Sequence, residues 1–446
     1  MPVTGSGLGR ALPATAGPPA GLRAQRVVNR CLQIVLLIWF ATVFLHQTNF
    51  GGSWDPVAWQ TWALLGAWLL CFTLAFWVVA LLYRNRPDLK PTAVDQSLLN
   101  WTISALAIVG AVGATLIIYD FAVLRGYGFA SSVVAIRVEE ATDALRGISQ
   151  SSAVSGVGRL TIPAIMPAYL LAVYRWNQVS VVTRVILAVS SLITLGEQML
   201  FEGGRFFITA IAVTIVICYF VRPAAEGVRA PKRKIPYIRL GILAAILLSF
   251  FAYVFVDRIL ERGDFFWSAY LSFAGAYAID VDYGTIGRFE GPLGPIWFSA
   301  SMLWLYITQG ISELDLLLSI PYFEHANGFY QLPQVAQIAE VLFGLDWRYD
   351  IVANLPKIGT YPTFYGSNFI DFGNIGAVLS GAVLGGASSR ALFGFALGRL
   401  DPISLLAPIL FTICLFTSVV SLITMLWPAI FWVVGAGLVL NRPSRS

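Results

Sequence analysis

The chain has 446 residues, of which 57% are hydrophobic and only 12% are charged, with a mean hydropathy of +0.74. A soluble domain carries about twice that share of charged residues, so the composition excludes an ordinary soluble protein and indicates an integral membrane protein. The formal net charge is +5, and the charged residues fall between long apolar runs.

Uncharged apolar runs of about 16 to 25 residues recur along the chain, and each is long enough to cross about 30 Å of hydrocarbon. They predict an all-α, polytopic membrane fold with about ten transmembrane helices. The last two runs share one uncharged stretch, in which we expect a break near Thr417–Ser421. The predicted spans are 31–50, 57–82, 98–119, 160–175, 183–200, 205–221, 240–256, 367–387, 402–418 and 422–441.

The spans divide the chain into successive parts. Residues 1–30 form an N-terminal cytoplasmic tail, whose Ala/Gly/Pro-rich first 22 residues favour disorder. No small-residue cleavage site clearly follows the first apolar run, so we interpret that run as an anchor. The other parts are transmembrane helices 1–7 at 31–256, a large periplasmic loop carrying helices at 257–366, transmembrane helices 8–10 at 367–441, and a cytoplasmic tail at 442–446.

The loops between the spans fall into two sets of opposite charge. With the N-terminus inside, the inner set carries 19 Lys and Arg against 4 Asp and Glu, whereas the outer segments and span ends carry 10 basic and 20 acidic residues. Membrane proteins retain basic residues in their cytoplasmic loops. The charges therefore predict that both termini lie in the cytoplasm. The most basic inner loop is RPAAEGVRAPKRKIPYIR at 222–239, and its position between two spans argues against a nucleic-acid site.

A rival topology makes residues 296–318 an eleventh span. This segment contains Glu313 and Asp315, and an eleventh span would place Arg442 and Arg445 outside. We therefore interpret 296–318 as a helix on the outer surface, parallel to the membrane.

Cysteine and histidine usage argues against metal or disulfide chemistry. The cysteines lie in or beside predicted spans, so the long outer loop has no disulfide framework and no thiolate metal site. The two histidines, His46 and His325, are too few for a histidine-rich metal site. We expect neither a metal nor a cofactor. The four cysteines are Cys31, Cys71, Cys218 and Cys414.

Polar and aromatic residues concentrate where outer segments meet the spans. The segment TYPTFYGSNFIDFGNIGAVLSGAVLGG (360–386) begins polar and becomes an apolar span. A second such place is GEQMLFEGGRFF (196–207), in which Arg205 follows two glycines and opens a span. A helix N-terminus attracts anions, and a guanidinium binds phosphate through two parallel hydrogen bonds. Arg205 is therefore our main phosphate-binding candidate, although an outer arginine also commonly snorkels toward lipid head groups.

Three of these stretches resemble the O-antigen and oligosaccharide-repeat-unit polymerases of the bacterial inner membrane. They are GGRFF (203–207), NGFYQLPQVAQI (327–338) and YPTFYGSNFIDFGNIGAVLSGAVLGG (361–386), and the resemblance extends roughly over residues 95–425. The arginine-x10-glycine pattern described for outer loops of such polymerases fits Arg348 to Gly359. The layout is similar too, because the family has many spans, one dominant outer loop and a GT-C-like architecture.

The resemblance implies a metal-independent glycosyltransferase. It would transfer a polyprenyl-pyrophosphate-linked oligosaccharide to the end of another lipid-linked repeat at the outer face of the inner membrane. The pyrophosphate leaving group needs fixed cations, for which Arg205 with Arg288 or Arg348 are candidates. The attacking hydroxyl needs a base, for which Asp371, His325, Glu324 and Glu202 are candidates. Further substrate-binding candidates are Arg137, Arg159, Glu202, Tyr361, Thr363 and Asn368.

Other functions remain open at this point. A ligase would use the same lipid-linked donor but deliver a finished polymer to another acceptor. A flippase or other transporter of lipid-linked glycans would need charged residues at mid-membrane depth and broken helices. A non-catalytic scaffold is also possible in principle, but it would not require several outer arginines. The expected partners are the lipid-linked donor and acceptor, membrane lipids and a chain-length regulator protein.

Overall fold

The computed structural model describes residues 20–84, 91–126, 153–198, 205–225, 256, 265–276, 279–321, 324–332, 335, 343–344, 355 and 363–441. The regular elements of these residues are all helices. They are α1 (Ala20–His46), α2 (Trp59–Arg84), α3 (Gln96–Tyr119), α4 (Ala153–Thr161), α5 (Ile165–Tyr174), α6 (Val181–Glu197), α7 (Arg205–Ala225), α8 (Phe266–Ala276), α9 (Tyr283–Glu290), α10 (Gly294–Ser319), α11 (Phe364–Ala396), α12 (Pro402–Leu405), α13 (Ala407–Phe416) and α14 (Ile423–Leu440).

Short non-α turns join some of these helices. A π-helical turn, Asp120–Leu124, follows α3, and a 3₁₀ turn at Ile162–Ala164 joins α4 to α5 at Pro163. A second 3₁₀ turn, Trp176–Gln178, precedes α6. Proline lacks an N–H and so interrupts the α-helical hydrogen bonds, which explains the turn at Pro163.

The chain is an α-helical membrane protein. Five helical stretches of the described residues are long and apolar enough to cross a membrane, judged by length and composition. They are Ala20–His46, Trp59–Arg84, Gln96–Leu124, Val154–Tyr174 and Phe364–Ala396. Shorter apolar helices lie at Ile208–Val221, Ala407–Phe416 and Met425–Leu440.

The helix bounds follow the hydropathy closely, with one correction. α1 begins at Ala20, so residues 20–30 are helical and do not belong to a disordered tail. Ala24 and Val28 are fully buried, because this first part of the helix packs against the bundle even though it carries arginines. The expected break in the last apolar stretch lies at residues 417–422, between α13 and α14. The predicted span 240–256 lies almost entirely outside the described residues.

Helices α2 and α11 pack closely together, and glycines of α11 permit this approach. A Cβ on Gly381 would lie 2.6 Å from the backbone oxygen of Trp68, and a Cβ on Gly385 would lie still closer to the backbone oxygen of Phe72. Small residues four apart allow helix backbones to approach in a membrane, where van der Waals contact replaces the hydrophobic effect. The Trp68 indole also donates to Ser380 at 3.3 Å. α11 is therefore held firmly along its apolar part.

Arginines concentrate at one end of the helix bundle, which we call the basic end. Three chain connections meet there, because Gly398 O accepts hydrogen bonds from Thr92 N at 3.3 Å and from the Arg175 guanidinium at 3.1 Å. Asp95 and Asp401 also lie at this end, and Arg399 binds Asp401 at 2.7 Å. The arginines of the basic end whose side chains are described are Arg23, Arg26, Arg30, Arg84, Arg175, Arg184, Arg390 and Arg399.

At the opposite end of the bundle, most charged side chains of the described residues are acidic. We call it the site end, because the candidate site described below lies there. α1, α3 and α6 finish there, and α2, α7 and α11 begin there. Its described acids are Asp55, Asp120, Glu197, Asp280, Asp282, Glu290, Glu313, Asp315, Glu324 and Asp371, against Arg125, Arg159 and Arg288. The described members of the two charge sets therefore lie at opposite ends of the helices.

Helix α10 lies across the site end. It contacts the places where α1 finishes and where α2 and α11 begin, and it does not run along their lengths. These contacts are Trp304 Nε1 with the Leu45 carbonyl at 2.9 Å, His46 Nε2 with Ser312 Oγ at 3.1 Å, the Ala58 N–H with Asp315 at 3.0 Å, and Gly310 with the Thr363 side chain. The assignment of 296–318 to the outer surface, and not to an eleventh span, stays a prediction.

Candidate functional site

Helix α11 is broken near its beginning, at Gly373. This residue has φ +69° and ψ −167°, a conformation that only glycine adopts without strain. The break interrupts the helical ladder, so the carbonyls of Ile370 and Asp371 accept hydrogen bonds from outside the helix. Their donors are the N–H groups of Ala326 at 3.0 Å and Asn327 at 2.9 Å. A buried carbonyl needs such a partner, and here the loop 324–332 supplies it.

The side chain of Asp371 fastens the same loop. One carboxylate oxygen accepts the N–H of Tyr330 at 2.9 Å, and the other accepts the N–H of Gln331 at 3.2 Å. Asp371 is fully buried. Two hydrogen bonds from backbone N–H groups compensate the burial of a carboxylate and fix its orientation. Asp371 is therefore an anchor that ties the loop 324–332 to α11.

The backbone of the loop is shaped to fit this anchor. Asn327 has φ +51° and Gly328 has φ +95°. Consecutive residues in the left-handed region turn the chain sharply, and asparagine and glycine are the residues that tolerate it best. The sequence Asn-Gly at 327–328 is the local reason that the N–H groups after the turn can point at Asp371.

Asn368 and Thr363 are also engaged within the protein. The Asn368 amide nitrogen donates to the Phe364 carbonyl at 2.7 Å, and its oxygen accepts from Gln331 Nε2 at 3.2 Å. Thr363 caps the first turn of α11 by accepting the N–H of Gly366 at 3.2 Å. Both side chains are almost completely buried. They shape the beginning of α11 and the position of the loop.

His325 lies at the break itself, and its side chain is exposed. A Cβ on Gly373 would lie 2.8 Å from His325 Nε2, so the imidazole occupies the space that a larger residue at 373 would need. The ring meets Phe369 edge-on, with centroids 5.8 Å apart. The fold thus brings together His325, Asn368 and Asp371, which were predicted separately from the sequence.

Two further residues of this place were not singled out as site residues from the sequence: Glu313 and Tyr330. Glu313 is 5% exposed and lies on α10 one turn beyond Gly310, which contacts Thr363. Burial raises the pKa of the Tyr330 hydroxyl, and the negative charges of Glu313 and Asp371 raise it further. A signal for Glu313 was available, because an acid within an apolar segment is by default a functional candidate.

The described arginines of the site end lie apart from the broken helix. The Arg288 guanidinium is 5.2 Å from the centroid of the Trp297 ring, beside a separate apolar cluster formed by α8, α9 and the first half of α10. Arg159 is exposed on α4. Arg205 is the first residue of α7, for which the structure describes the backbone alone. Arg137, Glu202, Arg348 and Tyr361 lie outside the described residues.

The arrangement offers hydrogen-bonding and proton-transfer groups at one surface of the bundle. Within the described ranges, no group of three or more His, Cys, Asp or Glu side chains is placed to hold a metal ion. An exposed imidazole, a half-buried phenol and two buried carboxyl groups lie around the start of one broken helix. Such a set suits the binding of hydroxyl-rich ligands and the movement of a proton.

Comparison with known proteins adds no relative. No family model matches the chain, and neither the curated proteins nor the solved structures contain a significant match to it.

Proposed function

We propose that this protein is a membrane glycosyltransferase. It joins oligosaccharide repeat units that are linked to a polyprenyl lipid through pyrophosphate, and it acts at the outer face of the bacterial inner membrane. In this proposal about ten helices span the membrane, the site end faces outward, and both chain termini lie in the cytoplasm. The proposal keeps the GT-C-like architecture that the sequence resemblance implies.

The observation that carries the proposal is the position of the polar site. The loop 324–332 and the start of α11 meet at the end of the bundle opposite the arginines, and this is the end expected to be outside. A lipid-linked saccharide holds its sugars at that depth, just beyond the hydrocarbon. The exposed His325 and the aromatic residues around it suit the hydroxyl groups and CH faces of sugars.

We assign the binding of the pyrophosphate to Arg205, the first residue of α7. α6 ends at Glu197 and α7 begins at Arg205, and a connection of this length reaches at most about 27 Å. Both helix ends therefore belong to the same surface. Arg205 would stabilise the negative charge that develops on the leaving pyrophosphate, with Arg288 or Arg348 as its partner.

A transporter of lipid-linked glycans is the second candidate, because broken helices are typical of transporters. The location of the break favours the enzyme. Gly373 and Arg390 are separated by about 25 Å along α11, close to the thickness of the hydrocarbon, so the break lies near the membrane boundary. Transporters usually place their breaks near the midplane.

The decisive experiment uses purified protein in vesicles with a synthetic polyprenyl-pyrophosphate oligosaccharide. A polymerase produces a ladder of products that differ by one repeat and releases one polyprenyl pyrophosphate for each bond formed. A ligase instead makes one transfer to a separate acceptor. A transporter moves the labelled lipid across the bilayer without releasing polyprenyl pyrophosphate, and that outcome would refute the proposal.

The variant Arg205→Ala tests the site. It is expected to insert normally into membranes and to leave glycans at a single repeat. The matched control is Arg26→Ala, which removes an exposed arginine from the basic end. A normal ladder from Arg205→Ala would remove Arg205 from the mechanism, and a loss in both variants would indicate a general effect of lost positive charge.

A further inference from the structure

We propose that the first half of α10 binds the surface of the lipid bilayer at the site end. One apolar side of the helix lies among the acyl chains, and Arg288 binds the phosphate of the phospholipid head groups. The contact holds α10 at the membrane boundary. It does not depend on the glycan transfer proposed above.

The open side of α10 is apolar and uncharged. No Asp, Glu, Lys or Arg occurs in this helix before Glu313. Ile296 is 65% exposed and Leu303 is 40% exposed. Ala300 and Ile307 are partly exposed and lie on the same side, because these four residues are three or four apart. A helix that faces water carries polar and charged residues on its open side. The open side of α10 is therefore typical of a surface that lipid or protein covers.

This surface is continuous with the side of α1 that meets lipid. Phe40 and Phe44 are exposed on α1, which is one of the helices long and apolar enough to cross a membrane. Beyond the end of α1, the exposed ring of Phe50 meets the Trp297 ring, with centroids 5.8 Å apart. Trp297 is the neighbour of Ile296 on α10. Aromatic side chains thus lead from the acyl chains beside α1 to the open side of α10, which favours lipid over a protein partner.

Arg288 supplies a cation at the edge of the same surface. Its side chain is exposed, and its guanidinium carbon lies 5.2 Å from the centroid of the Trp297 ring. Tryptophan is enriched at the head-group level of membranes, and arginine there binds phosphate while its stem lies on apolar surface. On this assignment Arg288 belongs to the membrane contact, and Arg348 is left as the partner of Arg205.

The other half of α10 is held by the helix bundle. Trp304 binds the Leu45 carbonyl at the end of α1, and Asp315 accepts the N–H of Ala58 just before α2. These contacts place the second half over the helix ends. The first half then extends from the same depth along the bilayer surface. Lipid and bundle therefore act on opposite halves of one helix.

The test measures the surroundings of nitroxide labels on the full chain in phosphatidylcholine vesicles. Ile296→Cys and Leu303→Cys are labelled one at a time, and the signal of the unsubstituted protein is subtracted. Collision of the label with oxygen, which dissolves in hydrocarbon, is compared with collision with a water-soluble nickel chelate. Both labels are expected to collide more with oxygen and to lie at equal depth. Glu290→Cys, at the exposed end of α9, is the control and should collide more with the chelate.

Three results would overturn the lipid contact. Ile296 and Leu303 are seven residues apart, or about 10 Å along a helix, and a difference in depth of that size would mean that α10 crosses the membrane. More collision with the chelate than with oxygen at both positions would place this side in water. Protection from both reagents would mean that a protein partner or a second copy of the chain covers it.

A second series tests Arg288. Phosphatidylglycerol, an anionic lipid, is expected to draw the Ile296 label deeper, and high salt should reverse that shift by screening the attraction. Arg288→Gln should lose the shift, whereas Arg159→Gln, which removes an exposed arginine of α4, should keep it. A shift that persists in Arg288→Gln would overturn the assignment of Arg288. None of these measurements needs a glycan substrate, so they decide the lipid contact whether or not the protein transfers glycans.

Discussion

Substitution of Gly373 by alanine tests the broken helix most directly. The backbone at 373 has φ +69° and ψ −167°, which costs a residue with a Cβ about 1–3 kcal/mol. The new Cβ would also lie 2.8 Å from His325 Nε2, so the imidazole must move. If α11 straightens to avoid both effects, the hydrogen bonds from Ala326 and Asn327 are lost, at about 1 kcal/mol each. The cheaper of these two outcomes sets the loss, so the free energy of unfolding should fall by about 1–3 kcal/mol.

The assay is unfolding of the purified protein by SDS in mixed micelles. Gly66→Ala is the matched control, because Gly66 lies within α2 and a Cβ there would meet nothing within 4 Å. Alanine forms helix better than glycine, so this control should be neutral or more stable by up to about 1 kcal/mol.

A second substitution separates the two causes. In the background of Gly373→Ala, His325→Ala removes the imidazole and should recover the steric part of the loss, while the backbone strain at 373 remains. If Gly373→Ala is as stable as Gly66→Ala, α11 is continuous in the membrane, and the reasoning from the break is refuted.

The remaining predictions concern the anchor, one acid of the basic end and sidedness. Asp371→Asn sets an amide N–H₂ against a loop N–H and should lower the unfolding free energy by about 1–3 kcal/mol in the same titration; no change would contradict the anchoring role. Burial acts to raise the pKa of Asp401, but hydrogen bonds from Ser404 and Arg399 outweigh it and hold the pKa below its ordinary value. Its stabilising contribution should therefore be complete above about pH 4 and disappear as the pH falls through the lowered pKa, whereas Asp401→Asn should show no such dependence. Tyr283 is 93% exposed on α9, so Tyr283→Cys should react with an impermeant thiol reagent added outside intact cells; protection there, with labelling after the membrane is opened, would invert the topology.

Much of the helical framework could be predicted from the sequence. Apolar runs of fixed length and the charges between them determine where helices cross, and α2, α3, α6 and α14 lie within a few residues of their predicted spans. The start of α1 was misplaced because the arginines near Ala24 and Val28 looked like a solvated tail. Long basic side chains can reach water while their helix remains packed, so charge alone does not mark a helix end.

Charged side chains are costly to bury in hydrocarbon, so uncharged apolar runs form the spans and the charges collect at the helix ends. The sequence by itself therefore determined an α-helical membrane protein with opposite charges at its two ends. Only the tertiary structure decided that α11 breaks at Gly373 and that the loop 324–332 fills the break. These features depend on contacts between residues far apart in the chain, such as the hydrogen bond from Tyr330 to Asp371. A local sequence pattern shows that a polar residue is present, whereas the packing of the helices determines which group forms a hydrogen bond with it.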